Sequence, residues 1–305
     1  MSKTILMVHG RDFKPPKRDL QKLWFEALRW GIERDHPEKL AALNDAKLEL
    51  AYYGDISNHF LHGATGEPKP RDVEDRRQTL ERLKQYKSFQ FNKTTYKKLP
   101  GYNPWMEAVA DVISGPLNFF GLSEPLIERV APDMRRYWGV SQFGSDIRAV
   151  LTAALIRAMK REGDICLIGH SLGSMICYDV LWKLSHYSEY RRQPWNRDVS
   201  LWITLGSPLS DVTVQDNLKG AGKAEIDRYP KNVVNWLNVA AEDDYISHDQ
   251  RLTNDFRPML QLGYVDSIRD KGIYNLAVRH GESNPHHGTG YLLHPTVANA
   301  VADWL

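Results

Sequence analysis

The chain has 305 residues, 42% apolar and 26% charged, with 40 Lys and Arg against 38 Asp and Glu. That length can bury a large core without disulfides or a structural metal, and the composition excludes a disordered, collagen-like or coiled-coil chain. The near-neutral charge balance creates no field that would attract a polyanion, so nucleic acid is not an expected partner.

The first strand signal is Thr4–Val8 (TILMV), which runs into His9-Gly10. Asp19–Arg34 then spaces Leu20, Leu23, Trp24, Ala27, Leu28 and Ile32 as one helical face. A second strand is expected at Leu48–Tyr53. Residues 54–144 show no strand pattern. This stretch holds a Gly/Pro turn region (Gly63–Pro70), a charged helix (Arg71–Tyr86) that reads as a solvated face, and the apolar, Gly- and Pro-broken segment Gly115–Leu126.

Regular alternation resumes with a helix at Ser145–Arg161, a strand at Asp164–Ile168 and a helix at Leu172–Leu184. Further strands are expected at Val199–Leu205, Val233–Val239 and Ile273–Val278, and a last helix at Pro295–Leu305. These strands are almost continuously apolar, which suits a parallel sheet covered on both faces. The expected class is therefore α/β, with about six mostly parallel strands between helices. Residues 54–144 form a mainly helical insertion within a single domain of 1–305.

No window approaches the roughly 20 apolar residues of a membrane span, and the first ten residues lack the pattern of a signal peptide. The expected address is the cytoplasm. Cys166 and Cys177 fall in core-like segments and read as structural thiols.

Chemistry is concentrated in Gly169-His170-Ser171-Leu172-Gly173, between a strand and a helix. In that context G-x-S-x-G forms a sharp turn that lifts the serine hydroxyl to the carboxyl end of a sheet. The Leu172 amide at the helix start can face a developing oxyanion. His9-Gly10 ends another strand and places the Arg11 amide as a second donor, with His9 itself read as structural. The strand rhythm, the His-Gly after the first strand and the GHSLG turn together resemble the α/β-hydrolase family.

That resemblance implies a serine hydrolase with a Ser–acid–His triad in chain order and no cofactor or metal. It implies an acid after Val233–Val239, where Asp244 is favoured, Asp243 is the alternative and Glu242 fits less well. It implies a histidine after the last strand, where His286 is favoured and His287 is the alternative. The resemblance does not cover the insertion, but the large apolar residues Leu117, Phe119, Phe120 and Leu122 between helix-breaking Gly and Pro lead us to expect an apolar lid or acyl pocket above Ser171.

The expected activity is hydrolysis of carboxylic esters, as in esterases and lipases. A phospholipase, acyltransferase or thioesterase acting on lipid acyl groups at a membrane surface is the nearest alternative. A catalytically silent binding protein on the same fold is another. The expected partner is a small-molecule or lipid ester, and the chain is expected as a monomer or homodimer.

Overall fold

The computed structural model describes residues 3–11, 13–62, 70–102, 132–247 and 251–305. Strands β1 (Thr4–Val8), β2 (Lys47–Ala51), β3 (Ile165–His170), β4 (Val199–Leu205), β5 (Val233–Ala241) and β6 (Ser267–Ile273) form one sheet in the order β2-β1-β3-β4-β5-β6. Every neighbouring pair is parallel, as crossover connections through helices require. The helices that concern the site are α1 (Lys17–Asp35), α2 (Gly54–His62), α3 (Pro70–Leu83), α4 (Pro132–Gly139), α5 (Ser141–Met159), α6 (Leu172–His186), α7 (Gly288–Leu293) and α8 (Pro295–Trp304). A two-residue hairpin, β7 (Val278–Arg279) with β8 (Glu282–Ser283), lies between β6 and α7.

Alternate strand residues feed two separate cores. Ile5, Met7, Cys166, Ile168 and Ile203 pack with α1 and α8 on one face of the sheet. Leu6, Val8, Leu167, Trp202 and Trp236 pack with α5 and α6 on the other. Both faces are dry, which is why the central strands read as unbroken apolar runs. Trp202 and Trp236 are register partners on β4 and β5, and their rings stack 4.2 Å apart.

The last strand departs from the sequence expectation. It is Ser267–Ile273 rather than Ile273–Val278. As an edge strand β6 pairs only with β5 and sends Arg269 and Lys271 to solvent, so it lacks a two-sided apolar signature. The apolar residues Leu276 and Ala277 belong instead to a buried connection.

The charged helix is also more than a solvated face. On α3, Glu74 and Arg77 pair outward, but Thr79 is fully buried and Asp72 and Asp75 pair with Arg279. Leu80 and Leu83 of α3, with Tyr96 and Leu99 beyond it, join the core beside α1. Between β2 and β3 the described residues form helices and no strand. The apolar residues Leu117, Phe119, Phe120 and Leu122 lie outside the described residues. Among the described residues no helix is long and apolar enough to cross a membrane.

Candidate active site

Strand order reverses between β1 and β3: the chain leaves β1 toward β2 on one side and runs from β3 to β6 on the other. Connections diverge at such a point and leave a crevice at the carboxyl ends of the strands. Ser171 sits there, on the turn from β3 into α6.

The turn is tight enough to explain its glycines. A Cβ on Gly169 would lie 2.9 Å from the Ser174 Cα, and one on Gly173 would lie 2.5 Å from the carbonyl oxygens of Val8 and His9. Ser171 itself has φ 56° and ψ −129°, a conformation that costs about 1–3 kcal/mol. Its backbone is fixed on both sides. The Ser171 N–H donates to the Leu205 carbonyl at 2.9 Å. The Ser171 carbonyl accepts from the Ser174 amide at 2.9 Å and from the Ser174 hydroxyl at 2.6 Å.

Two loops bring their side chains to this serine. His286 Nε2 lies 2.8 Å from Ser171 Oγ, and His286 Nδ1 lies 2.9 Å from both Asp244 oxygens. The carboxylate can only accept, so Nδ1 carries the proton and Nε2 accepts from the serine hydroxyl. Asp244 is buried and has further donors: the Tyr291 hydroxyl at 2.6 Å and the Ile246 amide at 3.1 Å. Burial works to raise the Asp244 carboxyl, but the charge of His286 and these hydrogen bonds outweigh it and hold the pKa below the usual carboxylate range.

Of the paired candidates, His286 and Asp244 are the ones that lie in line with Ser171. His287 is buried directly before α7, where burial, followed by the charges of Arg76 and Arg279, drives its pKa well below the usual value. Asp243 has φ 60° and lies beside Tyr96. Glu242 continues from β5, its amide bonded to the Ile273 carbonyl at 2.9 Å.

The expected oxyanion donors flank the serine. Leu172 is the first residue of α6, so its N–H has no acceptor within the helix. A Cβ on Gly10 would lie 2.6 Å from the Ser171 Cβ, so the segment leading to the Arg11 amide runs against Ser171. His9 anchors that segment. Its Nδ1–H donates to the Gly10 carbonyl at 2.9 Å, and its Nε2 accepts from the Tyr53 amide at 3.1 Å. Burial, helped by the Lys14 charge, pulls His9 down to about 3, so it stays neutral.

Three supporting residues escaped the sequence reading. His170 Nε2–H donates to the His286 carbonyl at 2.8 Å and ties the Ser171 turn to the backbone of His286. Asn275 Nδ2 donates to the carbonyls of Pro285 and His287 at 2.8 and 3.1 Å, fixing the chain on either side of His286. Tyr291 joins Asp244 to the end of β5 by accepting from the Ala241 amide at 2.8 Å. Tyr291 lies in the Gly-Tyr-Leu that follows the histidine loop, but no spacing rule marks a hydroxyl five residues on as the partner of a distant acid.

Cys166 and Cys177 are buried free thiols whose pKa values burial pushes up. Among the described residues no group of three or more His, Cys, Asp or Glu side chains is arranged to hold a metal ion. Comparison with protein-family models, with curated proteins and with solved structures returned no match. In chemical terms the site pairs a hydroxyl on a strained turn with an imidazole and a buried carboxylate able to stabilise that imidazole's cation.

Proposed function

We propose that the chain is a serine hydrolase of carboxylic esters, built as a compact α/β-hydrolase in which residues 54–144 cap the sheet. The observation that carries this reading is the alignment of Ser171 Oγ, the His286 ring and the Asp244 carboxylate at hydrogen-bond distance.

Ser171 Oγ attacks the acyl carbonyl carbon while its proton passes to His286 Nε2. The carbonyl oxygen becomes an oxyanion that accepts from the Leu172 and Arg11 amides; losing one such donor costs roughly 3–4 kcal/mol in a well-studied protease. The bond to the leaving alcohol then breaks, and His286 returns the proton to that oxygen. Water, deprotonated by His286, attacks the acyl-enzyme, releasing the acid and restoring the Ser171 hydroxyl. Asp244 remains ionised throughout and stabilises the imidazolium. None of these steps calls on a cofactor.

The apolar composition of Gly115–Leu126 supports acyl or aromatic ester groups over sugars or peptides. It also favours a second reading, in which a lipid acyl group is the substrate of a phospholipase, acyltransferase or thioesterase. Rates that rise sharply on micelles would select that reading, and equal rates on monomeric and aggregated ester would remove it.

The primary test is labelling with a fluorophosphonate, alongside a panel of p-nitrophenyl esters from short to long chain. Wild type should label and turn over, and Ser171→Ala should do neither. Equal labelling of the two proteins would overturn the serine mechanism, and a folded wild type that neither labels nor turns over would leave a binding protein.

A further inference from the structure

Helix α3 bonds to two loops that both reach Ser171. Asp72, Asp75, Arg76 and Thr79 follow one another at helical spacing and share a face. Toward the histidine loop, Arg279 Nη2 donates to Asp72 at 2.6 Å and Arg279 Nε donates to Asp75. The Asp75 carboxylate also accepts from the His280 amide at 2.9 Å, and the Thr79 hydroxyl donates to the Val278 carbonyl at 2.7 Å. Toward the loop that carries Arg11, Arg76 Nη2 donates to the Phe13 carbonyl at 3.3 Å while its Nε donates to Asp72 at 2.8 Å. The same loop is held from α2, where Asn58 exchanges two hydrogen bonds with the Lys14 backbone at 2.8 and 2.9 Å.

Asp72 is thus the shared acceptor of Arg76 and Arg279, one pointing to each loop. The side chains are largely withdrawn from water, at 8% exposure for Arg279, 13% for Arg76, 16% for Asp75 and 23% for Asp72. Two guanidinium groups meet two carboxylates, so the charges balance. Apolar packing could hold α3 down equally well, but it would not fix direction; forked Arg–carboxylate bonds do. Phe13 lies two residues beyond Arg11, and His280 lies six before His286.

We propose that α3 is a brace that sets the histidine loop and the oxyanion loop relative to each other, with Arg279 and Arg76 as its positioning residues. This rests on the serine-hydrolase reading, because the brace matters for rate only if His286 and the Arg11 amide act on one reacting carbonyl. Displacements near 1 Å at such groups cost on the order of 100-fold in rate.

The test uses the full chain and the substitutions Arg279→Met, Arg279→Lys and Arg76→Met. Arg148→Met serves as a control, since it breaks the ion pair of Arg148 with buried Asp179, at 3.5 Å, and the hydrogen bonds of these two side chains go to Ser145, Tyr137 and Lys219, outside both loops. Hydrogen–deuterium exchange reads the brace without any substrate. Both Arg279→Met and Arg76→Met should raise exchange about tenfold in residues 9–14 and in residues 280–288 together. Arg279→Met reaches the Arg11 loop through Asp72, and Arg76→Met reaches the histidine loop through Asp72 and through its charge near His287.

With a soluble p-nitrophenyl ester, Arg279→Met should lower kcat about 10- to 100-fold with KM within twofold. Arg279→Lys should recover part of that loss, and Arg148→Met should lower the melting temperature without changing kcat. Exchange that rises only in the loop each arginine touches, or in neither, overturns the brace. So does a loss of kcat in Arg279→Met that Arg148→Met matches. If wild type neither labels nor turns over while the two loops still exchange as a pair, the hydrolase reading fails and the mechanical coupling stands.

Discussion

A single methyl group at Gly206 should disable the site. Gly206 follows β4 with φ 53°, and its amide donates to the Val239 carbonyl at 2.9 Å. A Cβ there would lie 2.8 Å from Asp244 Oδ2 and 3.1 Å from both His286 Nδ1 and the Tyr291 hydroxyl. Ordinary contact needs about 3.5 Å, so the carboxylate must retreat by roughly half an ångström or more. The bonds from His286 Nδ1 to Asp244, now 2.9 Å, would stretch toward the limit of useful geometry.

Holding an L-residue in the left-handed region costs about 1–2 kcal/mol, and a weakened hydrogen bond to a charge costs about 1.5–3 kcal/mol. We expect Gly206→Ala to lose several degrees of melting temperature and about 100-fold in kcat/KM, equivalent to about 2.7 kcal/mol of transition-state stabilisation. Turnover of a short p-nitrophenyl ester and thermal unfolding measure both. Gly222→Ala is the control, since a Cβ there meets nothing within 4 Å. A Gly206→Ala protein that melts and turns over like wild type would refute the reasoning, because the crowding at Asp244 would have had no consequence.

Tyr291→Phe removes the donor to Asp244 and the acceptor of the Ala241 amide; it should cost about 2–4 kcal/mol in urea unfolding and about tenfold in kcat, and an unchanged unfolding midpoint would refute it. His286→Ala should abolish about 10⁴-fold of turnover while His287→Ala stays within about tenfold, and Asp244→Asn should likewise far exceed Asp243→Asn; the reverse order in either pair would reassign the residue. Acid should destabilise the fold early. His9 and His294 are held down to about 3, chiefly by burial, and burial also holds His170 and His287 well below the usual value. The unfolded chain takes up these protons near pH 6.5 and the folded chain does not, so their contribution is complete above pH 6.5 and falls by about 1.4 kcal/mol per pH unit per histidine below it. Urea unfolding at pH 7.5, 6.0 and 5.0 checks this: His294→Gln should flatten the slope, and a midpoint independent of pH would contradict it.

The central sheet was legible because its strands are dry on both faces and therefore spell themselves out in apolar letters. Thr4–Val8 and Val199–Leu205 coincide with β1 and β4 residue for residue. The edge strand β6 was not legible, because half of its surface belongs to water, and neither was the inward charge of α3, whose partner Arg279 is some 200 residues away. At the site, local rules pointed to the Ser171 turn, since its chemistry is contained in five consecutive residues. Asp244 and His286 were legible only among neighbouring candidates, Glu242 and Asp243 for the one and His287 for the other. What separates Asp244 from Asp243 is a backbone reversal at φ 60°, and what separates His286 from His287 is a loop held by Asn275 and His170. Those are tertiary facts. His170, Tyr291 and Gly206 act through partners brought in from other strands, and no window of sequence contains both halves of such a contact.

The position of β1 inside the sheet, between β2 and β3, governs how the chain reaches this arrangement. Its register partner to one side is β3, with Thr4 opposite Ile165, so a loop of roughly 160 residues must close before the two can pair. Closure entropy grows only with the logarithm of loop length, and the 90 or so residues between β2 and α5 add about 0.7 kcal/mol to it. That stretch is therefore nearly free at equilibrium and expensive in time, because pairings of such separation form slowly. During synthesis β1 must wait, unpaired on that edge, until β3 has left the ribosome, and His286 arrives more than a hundred residues later still. A nascent or truncated chain thus displays the Ser171 turn without His286, and the two meet only as the last two helices, α7 and α8, pack against α1.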